Sequence, residues 1–134
     1  IEYFQKENRM KYVFSLIITM VAMSVNAQPV TVSSCYVLHS LAKNMVQFYT
    51  NGGEPLEMYA ILQDELSIAI DKNQSDKALA INIALDNVDV IYQNLTDPAL
   101  KLLAKSEGSD LGEMLTEKLS NGCFNIVGEE LYDN

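Results

Sequence analysis

SDKALAINIALDNVDVIYQNL, residues 75–95, decides the fold. Projected at about 100° per residue, Ala80, Ile81, Ala84, Leu85, Val88, Ile91, Tyr92 and Leu95 form one broad apolar face. Leu79, Ile83 and Val90 make a second, narrower apolar strip. Between them runs a thin polar line, Asn82, Asp86, Asp89 and Gln93, at steps of four, three and four residues. A helix that is apolar around most of its circumference must be covered by other helices. The stretch therefore reads as one central helix of a small bundle.

Working outward, the flanking segments also have helical period. Ser33 or Ser34 can cap a helix in which Cys35, Leu38, Ala42, Met45 and Tyr49 recur at three- and four-residue steps. Asn51-Gly52-Gly53 ends it near Thr50. Pro55 suits the first turn of a second helix, with Glu54 and Glu57 near its positive end. The expected inner line of that helix is Leu56, Tyr59, Leu62, Leu66 and Ala69 or Ile70, widened by Met58, Ile61 and Ile68. Ser75 caps the central helix. Asp97 and Pro98 open a short fourth helix with Leu100, Leu103 and Ala104 inside, closed by Gly108. Ser109 or Asp110 caps a fifth, carrying Leu111, Leu115 and Leu119, which Asn121-Gly122 can break before the C-terminal stretch. No period-two run is long enough for a strand. The expected fold is all-α: a single four- or five-helix bundle.

Farther toward the N-terminus, Met10 begins MKYVFSLIITMVAMSVNAQPV. Lys11, the apolar run Val13 to Met23 and Val25-Asn26-Ala27 have the three-part layout of a secretory signal peptide cleaved after Ala27. The apolar core is too short to favour a membrane span. The domain reading is thus 1–9 as an upstream extension, 10–27 as signal peptide and 28–134 as one helical domain in the periplasm or outside the cell. Residues 28–134 hold six lysines, no arginine and sixteen of the chain's 18 acids, a net charge near −10. Nucleic acid and anionic membrane surfaces are poor partners for such a chain, whereas a basic protein is attracted. Acidity of this size also serves solubility alone.

The chain has 2 cysteines, Cys35 and Cys123. In an exported protein the pair reads as one disulfide joining the first and last helices. Closing such a loop stabilises the fold by about 4–5 kcal/mol in the chain-entropy model. His39 is the only histidine and lies one turn after Cys35, a spacing two metal ligands can use, but no nearby Cys or His supplies the rest. Asp86 and Asp89 are neighbours on one helix face, and paired carboxylates can move protons or hold a hard cation. The polar line as a whole reads as a solvated stripe or, functionally, as a partner-binding stripe. There is no nucleophile motif, phosphate loop, CxxC, HExxH or EF-hand pattern, so neither a cofactor nor an enzymatic reaction is indicated. Asn73-Gln74-Ser75 and Asn94-Leu95-Thr96 match the glycosylation sequon.

A leader, then a cysteine opening the first helix (CYVLHSLAKNMVQFYTNGGEPLEMY), several helices and a second cysteine near the C-terminus form a recognisable plan. It resembles the small exported helical proteins of Gram-negative bacteria. In plan it is similar to the periplasmic immunity proteins of type VI secretion effectors, and more loosely to acid-stress chaperones of the HdeA kind. The resemblance is architectural and carries no site residues across. It implies a small binding protein whose acidic surface blocks a basic partner, such as a cell-wall hydrolase. The alternative is an envelope structural or chaperone-like stress protein that self-associates as a homodimer through spare apolar surface near Met45, Met58 and Met114.

Overall fold

The computed structural model describes residues 28–131; the expected signal peptide and upstream extension lie outside the described residues. Among the described residues six helices follow one another: α1 (Val32–Thr50), α2 (Pro55–Asp71), α3 (Ser75–Asp86), α4 (Val88–Leu95), α5 (Pro98–Ser106) and α6 (Leu111–Asn125). The described residues contain no strand, only an isolated antiparallel bridge between Pro29 and Glu130. α3 packs against α1 and α2, α6 runs along α1, and α5 joins α4 to α6. The all-α bundle is as expected, with six helices in place of four or five.

The extra helix comes from a break in the stretch that reads as one rod. Asn87 donates its side-chain Nδ2 to the Ile83 carbonyl at 2.8 Å, taking the acceptor its own backbone amide would use in a continuous helix. That amide bonds Ala84 O instead, at 3.0 Å. Asn87 is then both the C-cap of α3 and the N-cap of α4, with φ −110° and ψ 4°. The apolar pattern runs through the break because Val88 and Ile91 stay buried on the far side. α3 itself is covered all round: the seven residues from Ala78 to Ala84 are all buried.

Local chemistry explains the other boundaries. Thr31, rather than Ser33 or Ser34, caps α1: its Oγ1 accepts from the Ser34 amide at 3.0 Å, and Ser34 Oγ accepts from the Thr31 amide at 3.0 Å. This reciprocal pair satisfies two amide donors at the start of the helix. Thr31 Oγ1 also donates to Asp76 Oδ1 at 2.9 Å, fixing the start of α1 to the start of α3. Gln74, not Ser75, is the N-cap of α3. Asp97 caps α5 as expected, accepting from the Ala99 and Leu100 amides, with Pro98 in the first turn. Asp110 caps α6 by accepting from the Glu113 amide at 3.2 Å. α6 runs through Asn121-Gly122 without a break to Asn125.

Cys35 and Cys123 form a disulfide between α1 and α6, with Cα atoms 5.5 Å apart. The two ends of the described chain are also paired through backbone: the Val30 amide donates to Glu129 O at 2.9 Å, and the Gly128 amide to Val30 O at 2.8 Å. Leu38, Met45, Leu62, Leu79, Ile81, Ile83 and Leu119 fill the centre of the main core, while Leu100, Ala104, Leu111 and Leu115 form a small satellite core under α5 and α6. α2 is turned differently from the expected line. Its buried residues are Met58, Leu62 and Ala69, and Leu56 is 80% exposed. α2 is apolar on more than one side, so periodicity alone did not fix which side faces inward.

Candidate functional site

The polar line of the central stretch does not stay together. Asn82 is fully buried and donates Nδ2 to Ala78 O at 3.0 Å, so it is a core residue and not part of a surface stripe. Asp86 is partly buried, whereas Asp89 and Gln93 are exposed. The break at Asn87 sets Asp86 and Asp89 on different helices, and both act on Tyr59 of α2. Tyr59 donates its hydroxyl to Asp89 Oδ2 at 3.1 Å. Burial first, then the charge and hydrogen bond of Asp89 and the charge of Asp86, raise the Tyr59 pKa above its ordinary value.

Tyr49 of α1 extends this cluster inward. It is buried, donates to Val88 O at 3.2 Å and meets the Tyr92 ring edge-to-face at 5.2 Å. Burial pushes its pKa well up, with Asp89, Tyr59 and Tyr92 adding to the shift. The hydroxyl is held protonated as a donor, which suits a structural clasp between α1 and α4.

A second polar region lies between α1 and α6, where a surface groove of about 540 Å³ is lined by His39, Lys43, Asp110, Glu113, Thr116 and Glu117 among others. Asp110, Glu113 and Glu117 follow at steps of three and four, so α6 presents them along one side, and all three are exposed. Gly112 lets the helices approach: a Cβ there would stand 2.5 Å from Val46 Cγ1. His39 bridges the floor. The Ser120 hydroxyl is within hydrogen-bond distance of Thr116 O, at 2.8 Å. His39 Nδ1 and Ser120 Oγ share a hydrogen bond at 2.7 Å. Cys35 cannot join His39 in binding a metal, because its sulfur is consumed in the disulfide. Among the described residues no group of three His, Cys, Asp or Glu side chains is arranged to hold a metal ion.

The carboxylates of α6 were not singled out in the sequence; their three-and-four spacing is the signal that could have found them, whereas the groove they border left none. It depends on which side of α6 meets α1. Of the two sequons, Asn73 is exposed in a loop, whereas Asn94 is buried and donates to Val90 O at 2.7 Å. Among the described residues no Asp or Glu is buried, and no helix is long and apolar enough to cross a membrane. Compared with known proteins, the chain matches no family model, no curated protein and no solved structure.

Proposed function

We propose that the protein is an exported binding protein of the periplasmic inhibitor or immunity type, which uses its acidic surface against a basic protein partner. The observation that carries this reading is the charge: sixteen acids against six lysines in residues 28–134, with no Asp or Glu among the described residues buried as a whole. A surface of that sign attracts a basic partner at long range and repels nucleic acid and anionic lipid. The disulfide supports export, since such bonds persist in oxidising compartments. The signal-peptide layout of residues 10–27 supports it independently.

The test is affinity capture from the periplasmic fraction of the native cell, with elution by rising salt. The expected result is a basic protein released as ionic strength increases, because screening weakens exposed charge pairs. Absence of a partner, or a partner whose binding ignores salt, refutes the reading. A second reading, a self-associating envelope or chaperone-like protein, loses the expected surface at Met45 and Met58, which are buried in the core, and draws instead on the exposed Leu56, Leu102 and Tyr36. Sedimentation at neutral and acidic pH separates the two: a monomer at both rejects self-association.

A further inference from the structure

The outer side of α2 has an order that net charge does not explain. The helix packs on α3 and α4 and buries Met58, Leu62 and Ala69. On its other side Glu57, Ile61, Asp64, Ile68 and Asp71 follow at steps of four, three, four and three residues. That is the spacing of a two-stranded coiled-coil seam, with the isoleucines at a and the acids at d. All five side chains are exposed, Ile61 by 44% and Ile68 by 42%. α2 carries a fourth acid, Glu65, and neither Lys nor Arg.

We infer that this seam is the docking surface for a cationic amphipathic helix of a protein partner. Apolar side chains of that helix pack on Ile61 and Ile68, and its Lys or Arg side chains reach Glu57, Asp64 and Asp71. The inference rests on the acidic-binder reading and names its surface. Glu57 to Asp71 spans two heptads, about 21 Å of helix. So short a seam has little apolar area, so charge supplies much of the attraction and the isoleucines set the register. A second copy of this chain fits badly. Parallel pairing would set carboxylate against carboxylate, and antiparallel pairing would set each isoleucine against a carboxylate. A cationic helix meets both demands at once.

The experiment uses the purified chain and a fluorescent three-heptad peptide with leucine at a and lysine at d, read by anisotropy at low salt. Controls are a peptide of scrambled order, one with glutamate for lysine, and polylysine. The variants are Ile61→Ser/Ile68→Ser and Glu57→Lys/Asp64→Lys/Asp71→Lys, with Glu113→Lys/Glu117→Lys on α6 for comparison. The expected result is binding of the ordered peptide alone among the three, weakened about tenfold or more by either α2 variant and little changed by the α6 variant. If the scrambled peptide binds equally well, or the α2 variants bind normally, the seam is refuted while the acidic-binder reading stands. If neither the ordered peptide nor polylysine binds, both fail. A dimer in sedimentation that Ile61→Ser/Ile68→Ser abolishes assigns the surface to self-association and overturns the inference.

Discussion

Reduction of the Cys35–Cys123 bond is the perturbation whose size follows most directly from the fold. The bond closes a sequence separation of 88 residues. In the chain-entropy model a loop of that length removes about 15 cal/mol/K from the unfolded ensemble, which is about 4.6 kcal/mol at 25 °C. A domain of this size has a total stability of roughly 5–15 kcal/mol, so the bond supplies between about a third and nearly all of it. With a urea m-value of about 1–3 kcal/mol/M, the midpoint should fall by about 1.5–4.6 M. Both cysteines are 0% exposed, so reduction has to be carried out in urea and the thiols kept reduced during refolding. Reduction opens no cavity, although the two thiols must move apart from bonding to van der Waals distance within the core. The pairing of Val30 with Gly128 and Glu129 also remains, so the native helical signal should return in the absence of urea. The assay is urea unfolding followed by far-ultraviolet circular dichroism, oxidised against reduced at one pH. A difference below about 1 kcal/mol would refute the account, because the unfolded chain would then have lost little freedom through the bond.

Three further outcomes are expected. Tyr49 and Tyr59 have pKa values raised above the ordinary 10.0, so the unfolded chain gives up these protons at lower pH than the folded one. Their contribution to stability is therefore complete below pH 10 and declines as pH climbs from there toward the folded values. Absorbance titration of the phenolates should detect the delay, and Asp89→Asn should bring Tyr59 back toward its ordinary value; an unmoved Tyr59 in that variant would contradict the assigned cause. Gly112→Ala forces a methyl group against Val46 and should cost about 1–3 kcal/mol despite the better helix propensity of alanine, measured by thermal or urea unfolding. A neutral or stabilising result would mean that α1 and α6 can separate without loss. Asn87→Asp places a carboxylate at a fully buried position and removes the donor to Ile83 O. It should destabilise the fold by about 2–4 kcal/mol at neutral pH. Burial raises the folded pKa of this new acid, so the loss should shrink as pH falls through that value; unfolding at pH 4 and pH 7 tests both claims.

Much of this architecture was legible without coordinates. Apolar period, Asp97-Pro98, the capping Asp110 and the glycine after α1 are local signals, each tied to backbone groups within one turn, and helix boundaries follow from such groups. The disulfide was read from the even cysteine number and the expected export signal rather than from geometry. The break at Asn87 was not legible, because the apolar pattern continues across it and the competing hydrogen bond to Ile83 O is a property of one rotamer. The inward side of α2 was hidden for a related reason: with Leu56, Met58, Ile61, Leu62, Ile68 and Ile70 spread around the helix, several orientations bury comparable area.

Sequence by itself thus determined the helical class, the acidic balance and the cross-link, since these depend on composition and on spacing within a few residues. Tertiary structure alone decided that Asn82 is interior, that Asp86 and Asp89 converge on Tyr59, and that α2 leaves an acid-and-isoleucine seam outside. The physical reason is that a periodic helix specifies an angular pattern but no absolute rotation. Only the neighbours it packs against choose which side is covered, and so which groups remain for a partner.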